Sequence, residues 1–227
     1  MNHLSTRIAV GSTCLVAVAV LCACDGSSAQ DDTAGSPTAD GTTKSTTDLG
    51  TPRTPDDGQL GLALQRALSA RLINPSEYFG MTQNGGLRFL TGQEMAMSDS
   101  APGATQRYAS EGLLGVAAEH FASHRSIDAL CTVMRYRQPA GALHNLRSAT
   151  DVPAADKVRT FAVRGIPHAV GTEVYVDGNV LGRNVLFVDG PYEYIVGFQP
   201  DPAVARTFSR RRLADAALQW FRRVTSR

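Results

Sequence analysis

The sequence predicts an α+β domain, an antiparallel sheet with a meander in its C-terminal half and helices packed on one face. Three observations carry that reading. Four strand-like segments follow one another between residues 158 and 198, with the tight-turn dipeptides Asp177-Gly178 and Asp189-Gly190 between the last three. Leucines recur every fourth residue at Leu60, Leu64, Leu68 and Leu72, which stripes one helix face. A second stripe, Leu213, Ala217, Trp220 and Val224, closes the chain. Short turns force neighbouring strands to run antiparallel, and strands in a block flanked by helices define the class.

The elements follow in chain order. Residues 1–23 read as a leader: Arg7 supplies charge, and Ile8 to Ala23 are almost all apolar or small. As a helix that run is shorter than the roughly 20 residues a ~30 Å hydrocarbon core needs. Its end, Leu21-Cys22-Ala23-Cys24, resembles the lipobox of bacterial lipoproteins. The resemblance implies that the Cys24 thiol takes a diacylglyceryl group and that Cys24 becomes the first residue of the mature chain. Two acyl chains at about 0.8 kcal/mol per buried CH₂ hold a protein stably where one is marginal. Cys14 and Cys22 would leave with the leader, so Cys131 would have no thiol partner. The expected location is the outer, extracytoplasmic face of the cell membrane, with the membrane itself as first partner.

Residues 24–58 read as a tether. Between Asp25 and Gly58 the only large apolar side chain is Leu49, and seven Asp stand against Lys44 and Arg53, a net charge of −5. Such a stretch cannot bury enough apolar surface to offset its ordering entropy, so disorder is expected. A flexible coil of that length would span on the order of 30–35 Å. Residues 59–227 then form one expected domain, with 19 Arg and Lys against 14 Asp and Glu, a net charge of +5. Seven Arg fall in the last 22 residues. An extracytoplasmic address leaves no nucleic acid for that charge to serve.

Within the domain, Gln59 to Ile73 is the first helix, ended by Asn74-Pro75. Asn84-Gly85, between Tyr78/Met81 and Leu87/Phe89, predicts a hairpin. Residues 98–106 are loop-like. Residues 113–123 fit a strand or a helix; the strand is preferred because Ile127 to Tyr136 is a clear strand and His124-Arg125-Ser126 can turn between them. Pro139 to Ala149 reads as a helix with Ala142, Leu143 and Leu146 inward. Val158–Arg164, Gly171–Val176, Arg183–Val188 and Tyr192–Phe198 make the meander, and the last helix starts at about Ser209.

Over roughly residues 60–225 the chain resembles secreted lipoproteins of actinobacteria and, more faintly, the extracellular sensor domains of mycobacterial receptor Ser/Thr kinases. The segments that carry this are ALSARLINPSEYFGM, VMRYRQPAGALHNL and GRNVLFVDGPYEYIVGF. The resemblance implies a sensing or binding role and carries over no ligand residue. The chain departs from those sensor domains in lacking their disulfides.

Candidate chemistry is sparse. His120 and His124 stand four apart, which suits two metal ligands on one helix face, but the pattern is not H-E-x-x-H and no third ligand is evident among His144 and His168. A polar hairpin end is the simpler reading. There is no G-x-S-x-G elbow and no phosphate loop. Glu173 and Glu193 could in principle pair as two catalytic carboxylates, yet on a half-wet sheet Glu is ordinarily the solvated side. Tyr175, Phe187, Tyr192 and Tyr194 read as packing, the C-terminal arginines as a solvated helix face, and Cys131 as a buried inert thiol. The expectation is therefore a lipid-anchored envelope module that binds a ligand or protein, with no cofactor, no metal and no catalytic residue. The alternatives are a cell-wall hydrolase or metal-dependent enzyme using His120 and His124, or a lipid carrier.

Overall fold

The computed structural model describes residues 60–73, 82–83, 86–99, 101–123, 127–150, 158–176, 179–200 and 209–226. The leader, Cys24, the tether, His124 and the turns at Asn84-Gly85 and Asp177-Gly178 lie outside the described residues.

The described residues form five helices and eight strands. The helices are α1 (Leu62–Ser69), α2 (Gly92–Ser98), α3 (Ala104–Glu111), α4 (Pro139–Thr150) and α5 (Arg210–Thr225). The strands are β1 (Thr82–Gln83), β2 (Arg88–Thr91), β3 (Leu113–Ser123), β4 (Ile127–Tyr136), β5 (Val158–Ala162), β6 (Val170–Val176), β7 (Asn179–Asp189) and β8 (Tyr192–Pro200). All pairings are antiparallel, in the order β1-β3-β4-β8-β7-β6-β5, with β2 also on β3. The α+β class and the C-terminal meander are as expected. Residues 113–123 are a strand, paired to β4 from Leu113↔Tyr136 to Ser123↔Ile127. The tight turn after β7 places Gly190 at φ +55°, a left-handed conformation that glycine adopts at little cost.

Two expectations change. β1 and β2 both run antiparallel to β3, Thr82 opposite Ala122 and Arg88 opposite Ala118, so they follow one another along one edge and are not the two arms of a hairpin. And helices cover both sheet faces, not one. On the first face Phe121, Cys131, Val133, Phe187, Tyr194 and Val196 pack against Leu68 of α1 and Leu213, Ala217, Trp220 and Val224 of α5. On the second face Val116, Met134, Tyr136, Leu186 and Ile195 pack against Met95 of α2, Tyr108 of α3, and Ala142 and Leu146 of α4. The physical reason is in the central strands. Leu130, Met134 and Leu186 occupy the positions that a one-sided sheet would leave polar, and each is buried. Strands apolar on both faces need cover on both.

The short helices α2 and α3 occupy a stretch where the sequence pattern predicts no helix. α2 starts on a capping box: Thr91 Oγ1 accepts from Glu94 N at 3.1 Å, and Glu94 Oε2 accepts from Thr91 N at 2.6 Å. α3 runs between two left-handed glycines, Gly103 and Gly112. The closing helix α5 is capped by Ser209, as its sequence position suggests. Trp220, fully buried, donates Nε1–H to the carbonyl of Arg71 at 2.7 Å and stands edge-on to Phe187 and Tyr194, tying α5 to the end of α1. Among the described residues no helix is long and apolar enough to cross a membrane.

Candidate functional site

The second face carries the candidate site, an open cleft of about 500 Å³ between the end of α3 and the start of α4. Its walls include Ser110, Glu111, Arg137, Gln138, Gly141 and His144. Backbone geometry makes it. Gly112, at φ +74°, ends α3 and turns the chain into β3. The carbonyl of Gly112 accepts from Arg137 N at 2.9 Å, which fixes the start of the α4 segment beside it. Gly141 then lets the two helices touch: a Cβ there would lie 2.0 Å from the Glu111 carbonyl oxygen and 3.3 Å from the Tyr136 ring.

That close approach sets His144, one turn on from Ala140, against Glu111. His144 Nδ1 and Glu111 Oε1 are 2.8 Å apart; the histidine side chain is 67% exposed and the glutamate side chain 2%. Burial raises the Glu111 carboxyl, opposed by the hydrogen bond to His144 and by the charge of Arg107. Arg107 in turn donates to Asp99 Oδ2 at 2.7 Å, and Tyr108 donates its hydroxyl to the same oxygen at 3.1 Å.

Deeper under α4 lies Glu193 of β8, fully buried. Asn145 Nδ2 donates to its Oε2 at 2.7 Å and the Tyr136 hydroxyl donates to the same oxygen at 3.0 Å. Burial pushes this carboxyl up to about 7, against the two hydrogen bonds; Glu111 adds to the rise and Arg107 opposes it. So a polar cluster runs inward from the cleft wall, from His144 and Glu111 to Asn145, Tyr136 and Glu193.

The sequence-predicted residues fall elsewhere, with one exception. Glu173 and Glu193 are on opposite faces: Glu193 pairs across to Met134 on the second face, while Glu173 bonds Arg183, whose strand partner Phe198 belongs to the first. They cannot act on one substrate. Nor is either solvated, as Glu on a half-wet sheet would be; both are buried because both faces are covered. Glu173 binds Arg183 Nε at 2.6 Å, the Tyr175 hydroxyl at 2.7 Å, and Arg210 of α5. Burial would raise this carboxyl, but the hydrogen bonds from Arg210, Arg183 and Tyr175 pull it down to about 2.

His120 stands opposite Leu130 on the second face, while its partner in the proposed pair, His124, lies outside the described residues. Among the described residues no three His, Cys, Asp or Glu side chains are grouped to hold a metal ion. Cys131 is fully buried and its thiol is pushed well up by that burial, so it is inert as a nucleophile. The aromatic row is packing: Phe187 stacks on Tyr194 with centroids 4.7 Å apart, and Arg71 lies 3.9 Å over the Tyr192 ring. The C-terminal arginines are partly engaged, Arg210 with Glu173 and Arg223 with the Leu72 carbonyl. Glu111, Tyr136 and Asn145 carry no motif that singles them out in the sequence. Only the glycines flanking them, Gly112 and Gly141, hint that two backbones meet there.

No protein-family profile matches this chain, and no curated protein matches it. Among solved structures it is similar to the crystal structure of the extracellular domain of PknH from Mycobacterium tuberculosis, with a TM-score of 0.42 and 12% identity, covering 68% of this chain and 94% of that one.

Proposed function

We propose that this protein is a lipid-anchored module of the cell envelope, held to the outer face of the membrane by Cys24, that works by binding a polar ligand in the cleft between α3 and α4. The observation that carries the reading is the cleft itself: about 500 Å³, open to solvent, with Arg137, Gln138 and His144 on its walls. These three side chains offer hydrogen bonds that a polar ligand can use and an acyl chain cannot. The His144–Glu111 pair has the look of a base and its orienting carboxylate. Its neighbour Ser110, however, donates its hydroxyl to the Arg107 carbonyl at 2.8 Å and is not held by the imidazole. The nucleophile–base contact that covalent catalysis needs is therefore not made there. Binding is the simpler use of the same groups.

The test is photo-cross-linking in intact cells, comparing the native chain with Arg137→Glu. Both should sit in the membrane, and the species captured by the native chain should be lost in the variant. Identical products from both would remove the cleft from the reading.

A further inference from the structure

Glu193 and Asn145 are half-paired in a way that one proton completes. The amide hydrogen of Asn145 and the hydroxyl hydrogen of Tyr136 both go to Glu193 Oε2. The other carboxyl oxygen, Oε1, and the amide oxygen of Asn145, Oδ1, are buried and have no hydrogen-bond partner among the described residues. A neutral carboxylic acid and a primary amide close a ring through two hydrogen bonds, amide N–H to carbonyl oxygen and acid O–H to amide oxygen. One of those bonds is present here, and the two oxygens left over belong to the other. A carboxylate cannot close the ring, because it only accepts. It would leave two buried acceptors at their full desolvation cost.

We propose that Glu193 is a proton-binding site of the folded domain: it is held as the neutral acid, its Oε1 hydroxyl paired with the Asn145 amide oxygen, and release of that proton to water loosens α4 and with it one wall of the cleft. Proton binding at Glu193 does not depend on what the cleft binds. The groups around the acid set the balance. From α3 come Glu111, which disfavours a second negative charge, and Arg107, whose Nη2 is committed to Asp99. From α4 come Asn145 and His144, the latter bonded to Glu111. From β4 comes the neutral Tyr136 hydroxyl. Burial outweighs the rest and puts the transition at about 7. Asn145 follows His144 directly and lies one turn after Gly141, so movement of α4 at Asn145 shifts both cleft residues.

Glu193→Gln tests this in the full-length chain in detergent. Glutamine can form the same ring permanently, with an amide N–H in place of the acid O–H. Between pH 5 and pH 8 the unfolding constant of the native protein should rise by roughly seventy-fold more than that of the variant, the change expected for a carboxyl moved from 4.5 to about 7. At pH 8 the variant should be the more stable of the two. Parallel pH dependence, or a variant less stable than the native protein at pH 8, overturns the proposal. Infrared spectroscopy of the native protein covers the case in which the variant does not fold. A protonated-carboxyl band should be present at pH 6, fade by pH 9, and shift in Tyr136→Phe, which removes a hydrogen bond from the same group. A spectrum without that band at pH 6 overturns the proposal equally. Hydrogen exchange over residues 139–150, corrected for the intrinsic rate, should lose protection from pH 6 to pH 8 in the native chain only. Equal loss in both proteins would refute the link to the cleft.

Discussion

Two buried glutamates on opposite faces of one sheet show how a side chain's neighbours decide its chemistry. Glu193 is met by an amide and a phenol, both neutral, and burial raises its carboxyl. Glu173 is met by two guanidinium groups and a phenol, and these overcome burial and lower it. The consequences for stability have opposite sign. A raised carboxyl contributes most below its unfolded value and loses that contribution as pH rises through the folded one. A lowered carboxyl contributes above its unfolded value and loses it as pH falls toward about 2. Glu173→Gln should therefore cost about 3 kcal/mol at pH 7, because it removes the carboxylate charge that the largely buried Arg183 faces. The cost should shrink between pH 4.5 and 2, where the native carboxylate itself is titrated. Urea unfolding at pH 7, 5 and 3 measures this; a cost that stays constant across that range would show that charge is not the cause.

At the scale of elements, α5 and α4 are attached by different means. α5 is held by volume: Trp220 fills the space between Phe187, Tyr194 and the end of α1. Trp220→Ala should destabilise the domain by about 3–5 kcal/mol. Ser209→Ala should cost only about 1 kcal/mol, since it removes one cap bond, from Arg212 N to Ser209 Oγ. Thermal or chemical denaturation of the two variants should give that order, and the reverse order would mean that α5 depends on its start more than on its apolar face. α4 is held by close approach. Gly141→Ala should cost about 1–3 kcal/mol, because the Glu111 backbone cannot yield as a flexible side chain could. The same variant should weaken the His144–Glu111 contact, which a change in the NMR chemical shifts of the His144 ring from those of the native protein would report.

At the scale of the whole molecule, the chain joins an apolar run near its N-terminus, an acidic stretch and a basic remainder. Cys24→Ala should abolish incorporation of a fatty-acid analogue and leave an unprocessed precursor; label at the native level would rule out the lipobox. Limited proteolysis should cut before about residue 60 and spare the domain C-terminal to the cut, because the composition changes there. A resistant fragment that retained residues 25–58 would contradict the tether.

Local rules along the chain determined some of these features without help from the fold. The four-residue leucine period placed α1, and the stripe from Leu213 to Val224 placed α5 with all four residues buried. Turn chemistry at Asp189-Gly190 placed the β7–β8 hairpin. The capping box at Thr91 and Glu94 spans four consecutive residues, yet the sequence pattern places no helix start there, because the apolar pattern after it is too short to announce a helix. The lipobox resemblance, likewise, lies in four consecutive residues. Tertiary structure alone decided the rest. Whether helices cover one face or two depends on which apolar strand positions are buried, and that is a property of the strands' neighbours. The candidate site depends on residues far apart in the chain: Glu111 meets His144, and Tyr136 and Asn145 meet Glu193, because Gly141 lets two backbones touch and because strand pairing brings β8 beside β4. No spacing in the sequence encodes such a meeting, since it is made by packing, and packing acts between elements and not along them.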